Sequence, residues 1–317
     1  MKRTIAVSAA AFAATLLATP PAGATGLNRA WVSGHGTDTA GCGAPTTPCR
    51  SLQYAHDHIV AAGGEIDVLD PAGYGALSIT KAISVVNDGV GTAGIQASSG
   101  NAITIDAGPD DAIYLRGLNI DGLNDSAAYG IKFNAGARLT ITNCVVRHFS
   151  QTGITISPSS GDVRVLVSDS TSSDNAAYGF LYGPNVGTGG TIGVIDRLTV
   201  TNNGAGGAYF VGVNSGEFAE FTLANSIVGD NDGNGVWTNG AGVVLNVDSS
   251  IIATNSEGVV AQSNSVIHLS RSVIDANADW GISIALGASI HSSGDNHVAD
   301  NGHGALNGGT LGTDSPM

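Results

Sequence analysis

Five side chains within one stretch of 28 residues carry the groups that proton transfer requires: Asp121, Asp125, Lys132, Arg147 and His148. A carboxylate or imidazole can take and return a proton, while Lys132 or Arg147 steadies an anionic group on a substrate. The turn from Asp121 to Tyr129 is three residues longer than its counterpart from Arg147 to Thr152. That extra length is expected to bring Asp121 and Asp125 toward Lys132, Arg147 and His148. The plainer alternative is a solvated turn with surface ion pairs, which contribute little to stability. A second group is apolar: Leu181, Tyr209 and Trp237 recur at 28-residue spacing. Exposed aromatic rings are surfaces on which sugar rings stack. His268 and His291 lie 23 residues apart and should sit one above the other, but Asp248 is only diagonally placed as a third metal ligand, so an ordinary polar pair is expected.

The elements that position these residues follow from a repeat. Ser226-Ile-Val-Gly-Asp-Asn231, Ser250-Ile-Ile-Ala-Thr-Asn255 and Ser272-Val-Ile-Asp-Ala-Asn277 are each followed by Gly and an apolar residue. Gly130, Gly153, Gly179, Gly207, Gly235, Gly258, Gly281 and Gly304 are separated by 23, 26, 28, 28, 23, 23 and 23 residues. A period in the twenties, with short Val/Ile/Thr runs and Gly/Asn turns, marks a solenoid of strands. Each coil reads as three short strands: one after the Gly, one after a turn, and one formed by the Ile/Val pair before Asn. The residue two after each Gly should face outward, giving the row Lys132, Thr155, Leu181, Tyr209, Trp237, Val260, Ser283 and Leu306. No Asp or Glu occurs in it. Asn175, Asn203, Asn231, Asn255, Asn277 and Asn301 should stack as an amide ladder.

The chain bounds its own setting. Lys2 and Arg3, the apolar run from Ile5 to Ala18 and Ala22-Gly23-Ala24 read as a signal peptide over 1–24, cleaved after Ala24. The product is expected to be secreted or periplasmic, with no membrane insertion. Removing Lys2 and Arg3 leaves 10 basic and 26 acidic residues, a net charge of −16, which disfavours nucleic acid. Cys42 and Cys49 are expected to form a disulfide in an exported protein. Cys144 falls in a column that other coils fill with Ser170, Ser226, Ser250 and Ser272, so a buried small side chain is expected there. From Arg50 to Ala62, apolar residues recur near helical spacing and Gly63-Gly64 ends the run, which predicts a short helix over the open end of the solenoid. The expected organisation is an N-terminal cap over 25–64, the solenoid over 65–310 and a flexible tail over 311–317.

The repeat, the segment Val32-Ser-Gly-His-Gly-Thr-Asp38 with Cys42 and Pro48-Cys49-Arg50, and Gly64-Glu-Ile-Asp-Val-Leu-Asp-Pro-Ala-Gly-Tyr74 resemble exported bacterial proteins of the pectate-lyase-like superfamily. The resemblance implies an all-β, right-handed parallel β-helix of about ten coils, capped by a helix at its N-terminus. It also implies lyase or hydrolase chemistry on the outer face of one sheet, but the acidic calcium ligands of such lyases have no match in the outward row. Asp110-Asp111, Gly34-His35-Gly36 and Gly302-His303-Gly304 have the wrong order and spacing for a pectin hydrolase and read as turns. Three functions follow as expectations. The first is binding of a polysaccharide or surface glycan through Leu181, Tyr209 and Trp237, neutral or bridged by a cation such as calcium. The second is a polysaccharide lyase or glycoside hydrolase using Asp121, Asp125, Lys132, Arg147 and His148. The third is a structural or adhesive surface protein.

Overall fold

A computed structural model describes residues 26–159, 161–185, 189–212 and 218–314. The expected signal peptide lies outside these residues, as do 186–188 and 213–217. The chain is an all-β solenoid of about nine turns. The first strands of the coils form one ten-stranded parallel sheet running from Leu77–Ile79 to Gly304–Gly308. The second and third strands join a 20-stranded sheet, because in two coils (Val163–Ser173 and Thr191–Thr201) both strands run on as one.

Two neutral ladders hold the coils in register. Each Asn of the expected column donates its amide to the next: Asn175 to Asn203 at 2.9 Å, Asn203 to Asn231 at 2.9 Å, Asn231 to Asn255 at 2.8 Å, Asn255 to Asn277 at 3.1 Å and Asn277 to Asn301 at 2.8 Å. Asn175 through Asn277 are buried; the remaining N–H of Asn175 reaches Ser172 Oγ and those of the other four reach main-chain carbonyls, so no amide is left unsatisfied at that turn. The repeated Gly has a matching cause. A Cβ on Gly235 would fall 2.7 Å from the Asn255 amide nitrogen, and one on Gly258 2.9 Å from that of Asn277. The Asn and the Gly are therefore one packing unit. The second ladder runs through Ser226, Ser250 and Ser272, each hydroxyl accepting the N–H one coil earlier. Cys144 occupies that column, with its N–H on Ser170 Oγ at 3.1 Å, and burial pushes its thiol up to about 11. It is a filler and not a nucleophile.

The N-terminal cap differs from expectation in length. The helix comprises Leu52–Tyr54 followed by a π-helical turn, Ala55–Ile59, and Val60 already begins the strand Val60–Val68. The cause is the pairing of that strand with Leu27–Val32, which ends the helix well before Ala62. Cys42 and Cys49 are bonded, as expected. Asp70 ties the cap together: it accepts from Ser33 Oγ at 2.5 Å, Gly34 N at 2.6 Å and Tyr74 Oη at 2.8 Å, with His35 Nδ1 at 3.2 Å. The Gly-His-Gly motif at 34–36 is thus a clasp, with Ser33, Gly34 and His35 all on the one carboxylate. Asp110-Asp111 is likewise a turn, with Asp111 Oδ2 accepting Gly108 N at 2.7 Å. At the other end the chain does not fray at 311. Gly312–Thr313 forms a last strand on Ser289–Ser292.

Candidate functional site

The outer face of the ten-stranded sheet carries the expected row in register: Lys132 on Thr155, Thr155 on Leu181, Leu181 on Tyr209, Tyr209 on Trp237, Trp237 on Val260 and Val260 on Ser283. The row ends on Asn307, not Leu306, which turns inward opposite Ile282. Gly304 follows Asn301 by three residues where Gly281 follows Asn277 by four, so Gly304 pairs with Trp280 and every later side chain shifts by one.

Leu181, Tyr209 and Trp237 are half-buried. The rings of Tyr209 and Trp237 stack face to face, 4.0 Å between centroids and 11° between planes. Each ring therefore covers one face of the other, and the flat platform expected for a sugar is replaced by a stack that offers ring edges. Asn239 donates to Tyr209 Oη at 3.2 Å, and Trp237 Nε1 is buried without a partner among the described residues.

A second outward row was not foreseen. In strands such as Tyr178–Tyr182 both the Gly and the residue after it are buried, so the residue before the Gly also faces out. This places Tyr129, Tyr178 and Trp280 on the same face as Tyr209 and Trp237, all half-buried. Tyr178 and Tyr209 are 5.2 Å apart. The signal in the sequence is an aromatic residue directly before the repeat Gly: Tyr129-Gly130, Tyr178-Gly179 and Trp280-Gly281.

Glu257 belongs to this second row, directly before Gly258. Burial pushes its carboxyl above the usual range. The hydrogen bond from Ser283 Oγ at 3.1 Å opposes that push, and the nearby Asp279 carboxylate adds to it. Asp279 in turn pairs with His303 Nδ1 at 3.2 Å, beside Trp280. The His303 triplet is thus a turn against this face.

Of the five residues expected to act on protons, three come together. Arg147 lies opposite Asp121 in the third-strand ladder, its Nε 3.2 Å from Oδ2, and His148 Nδ1 is 3.2 Å from the same oxygen. Leu123 N donates to Asp121 Oδ1 at 2.9 Å. Burial raises the Asp121 carboxyl, but these three donors outweigh it and hold the group below the usual carboxylate range. Asp125 is exposed in a run of three left-handed residues, Leu123, Asn124 and Asp125, with φ of 52°, 59° and 61°. Such a run costs roughly 1–2 kcal/mol per residue against ordinary backbone. The side chain of Asp125 makes no ion pair among the described residues, and its N–H bonds His148 O. Lys132 stands apart on the ten-stranded sheet with its ammonium 4.5 Å from the Tyr129 ring centroid. The expected five-residue constellation is therefore an ion-paired trio plus two separate groups.

No family model and no curated protein matches the sequence. Solved structures match by fold. The chain is similar to pectate lyase Pel9A, with a TM-score of 0.57 at 16% identity over 89% of this chain and 82% of that one. Mannuronan C-5 epimerase A-modules of Azotobacter vinelandii also match: AlgE4 (TM-score 0.49, 16% identity, 80% and 89% covered) and AlgE6 (TM-score 0.48, 15% identity, 80% and 92% covered). The chain is a right-handed parallel β-helix with the fold that pectate lyase Pel9A carries.

Proposed function

We propose that the outer face of the ten-stranded sheet binds an extended polysaccharide laid along the solenoid axis, in an exported protein. The supporting observation is the aromatic strip. Tyr129, Tyr178, Tyr209, Trp237 and Trp280 lie half-buried on one face across seven successive strands, about 29 Å at ~4.8 Å per rung. Leu181 continues the apolar surface, and the half-buried Asn239 supplies a polar group beside it. Pectate lyase Pel9A, of like fold, is by its name an enzyme of pectate. The acidic charge of this chain favours neutral glycans, and an acidic glycan would need a cation such as calcium between the two.

The test is retention of the protein on a panel of neutral and acidic polysaccharides, with and without calcium. Tyr209→Ala with Trp237→Ala should weaken retention at least about tenfold, since buried aromatic contacts contribute more than 1.4 kcal/mol at such surfaces. Retention unchanged in the double variant would overturn the assignment of this face.

One observation favours a second reading, glycan cleavage on the same face. Glu257 is a carboxyl that its surroundings keep protonated to higher pH than an ordinary glutamic acid, which suits a proton donor to a leaving oxygen. New reducing ends, or ultraviolet-absorbing products, that vanish in Glu257→Gln would establish it. Products that persist in Glu257→Gln and vanish in Asp121→Ala would instead put the chemistry on the Asp121, Arg147 and His148 trio.

A further inference from the structure

His268 and His291 are register partners on adjacent second strands, with ring centroids 5.2 Å apart and planes 31° apart. The row above them is Asn246 and the row below is Gly312. A Cβ on Gly312 would fall 2.7 Å from His291 Nδ1, so the His291 ring lies over that glycine. Directly after the last strand comes Asp314, fixed by its N–H on Ser292 O at 3.2 Å. Its carboxylate reaches back over the two coils. Oδ2 is 2.8 Å from His268 Nδ1 and Oδ1 is 3.6 Å from His291 Nδ1.

One carboxylate thus faces the Nδ1 of both imidazoles. A carboxylate only accepts, so the hydrogen bond at His268 draws the proton of the neutral ring to Nδ1 and leaves the lone pair on Nε2, while His291 Nδ1 lies just beyond hydrogen-bond reach of the same negative charge. This is how a carboxylate behind a histidine prepares it for a metal ion. The side chains are 36% and 34% exposed, which leaves both rings within reach of solvent. Asp248, the diagonal neighbour, is held by Arg271 at 2.5 Å and Ser270 at 2.5 Å and takes no part.

We propose that Nε2 of His268 and Nε2 of His291 together bind a divalent transition-metal ion of the zinc, copper or nickel type, with Asp314 as the positioning residue behind both rings. Imidazole nitrogen suits these ions and not calcium, which takes oxygen ligands. Among the described residues no three His, Cys, Asp or Glu side chains converge on one point. The protein therefore supplies two ligands, and water or a ligand oxygen fills the rest. Bond lengths of ~2.0 Å to one ion need the two rings to tilt toward each other across a ~4.8 Å rung. Binding would thereby clamp the two coils and, through Asp314, the last strand.

The experiment is equilibrium dialysis and calorimetry of the full chain with zinc chloride, alongside His268→Ala, His291→Ala and Asp314→Asn. Circular dichroism and Tm without metal establish that each variant is folded. One zinc ion per chain, lost in either histidine variant and bound about tenfold more weakly by Asp314→Asn, is the expected result. Imidazole resonances of His268 and His291 that broaden or shift together on zinc addition would locate the ion. No uptake by the native chain, or uptake unchanged in His268→Ala, would overturn the site. Equal affinity in Asp314→Asn and the native chain would overturn the role of Asp314.

Discussion

Asp121 and Glu257 are both partly buried carboxylates on the outside of the same solenoid, yet their surroundings push them in opposite directions. Asp121 receives an N–H from Leu123, the guanidinium of Arg147 and the ring of His148, which together outweigh its burial. Glu257 receives one hydroxyl from Ser283 and faces another carboxylate, so burial prevails. The first is an anion with its acceptors satisfied, and the second is a group able to hold a proton. The contrast shows why a cluster of catalytic residue types is a poor guide by itself. What matters is how many donors meet each carboxylate and how much water is left around it.

The largest effect expected is at Asp121. Asp121→Ala removes the acceptor of three donors, and chemical denaturation at neutral pH should show a loss of about 2 kcal/mol. A loss near zero would mean that the trio is only a surface ion pair. The pH dependence then separates the two carboxylates. Asp121 has a depressed folded value, so its contribution is present above the ordinary aspartate range and disappears as pH falls through the folded value. Native protein and Asp121→Ala should therefore converge in stability on acidification.

Glu257 carries the opposite sign. Its folded value is raised, so the folded state is favoured while Glu257 is protonated and loses ground as pH rises through the ordinary glutamate range toward the folded value. Glu257→Gln should hence be neutral to slightly stabilising at neutral pH, by roughly a few tenths of a kcal/mol after solvent screening of a half-exposed group. A clear destabilisation at neutral pH would show that the ionised form is the one the fold selects. Asp125 supplies the smallest effect. It is exposed, with no side-chain ion pair among the described residues, so Asp125→Asn, which keeps a residue suited to its φ of 61°, should leave the thermal midpoint unchanged. A drop as large as that of Asp121→Ala would return Asp125 to the cluster.

Much of the fold was legible from spacing. The Gly column needs no Cβ because the Asn of the next coil packs on it, and the Asn column needs an amide because its buried main-chain groups want both a donor and an acceptor. Both requirements leave fixed residue types at a fixed period, and that is why the column from Asn175 to Asn301 is visible in the sequence. The register of Leu181, Tyr209 and Trp237 followed from the same period. Their stacking did not, because a period fixes which coil a ring sits on and not how its χ angles turn it.

The sequence by itself determined a parallel solenoid, its Asn and Ser ladders, the buried place of Cys144 and the row through Tyr209 and Trp237, since each of these repeats at rung spacing. Tertiary structure alone decided the rest. The inward pair formed by each Gly and its successor turned Tyr129, Tyr178, Trp280 and Glu257 outward. A one-residue shift after Asn301 put Asn307 where Leu306 was expected. The pairing of the last strand brought the residue after it, Asp314, to His268, 46 residues earlier. The physical reason is the same in all three cases. Stacking energy repeats with the chain and is written into its period, whereas bulges, register shifts and contacts between coils depend on where the backbone lies in space.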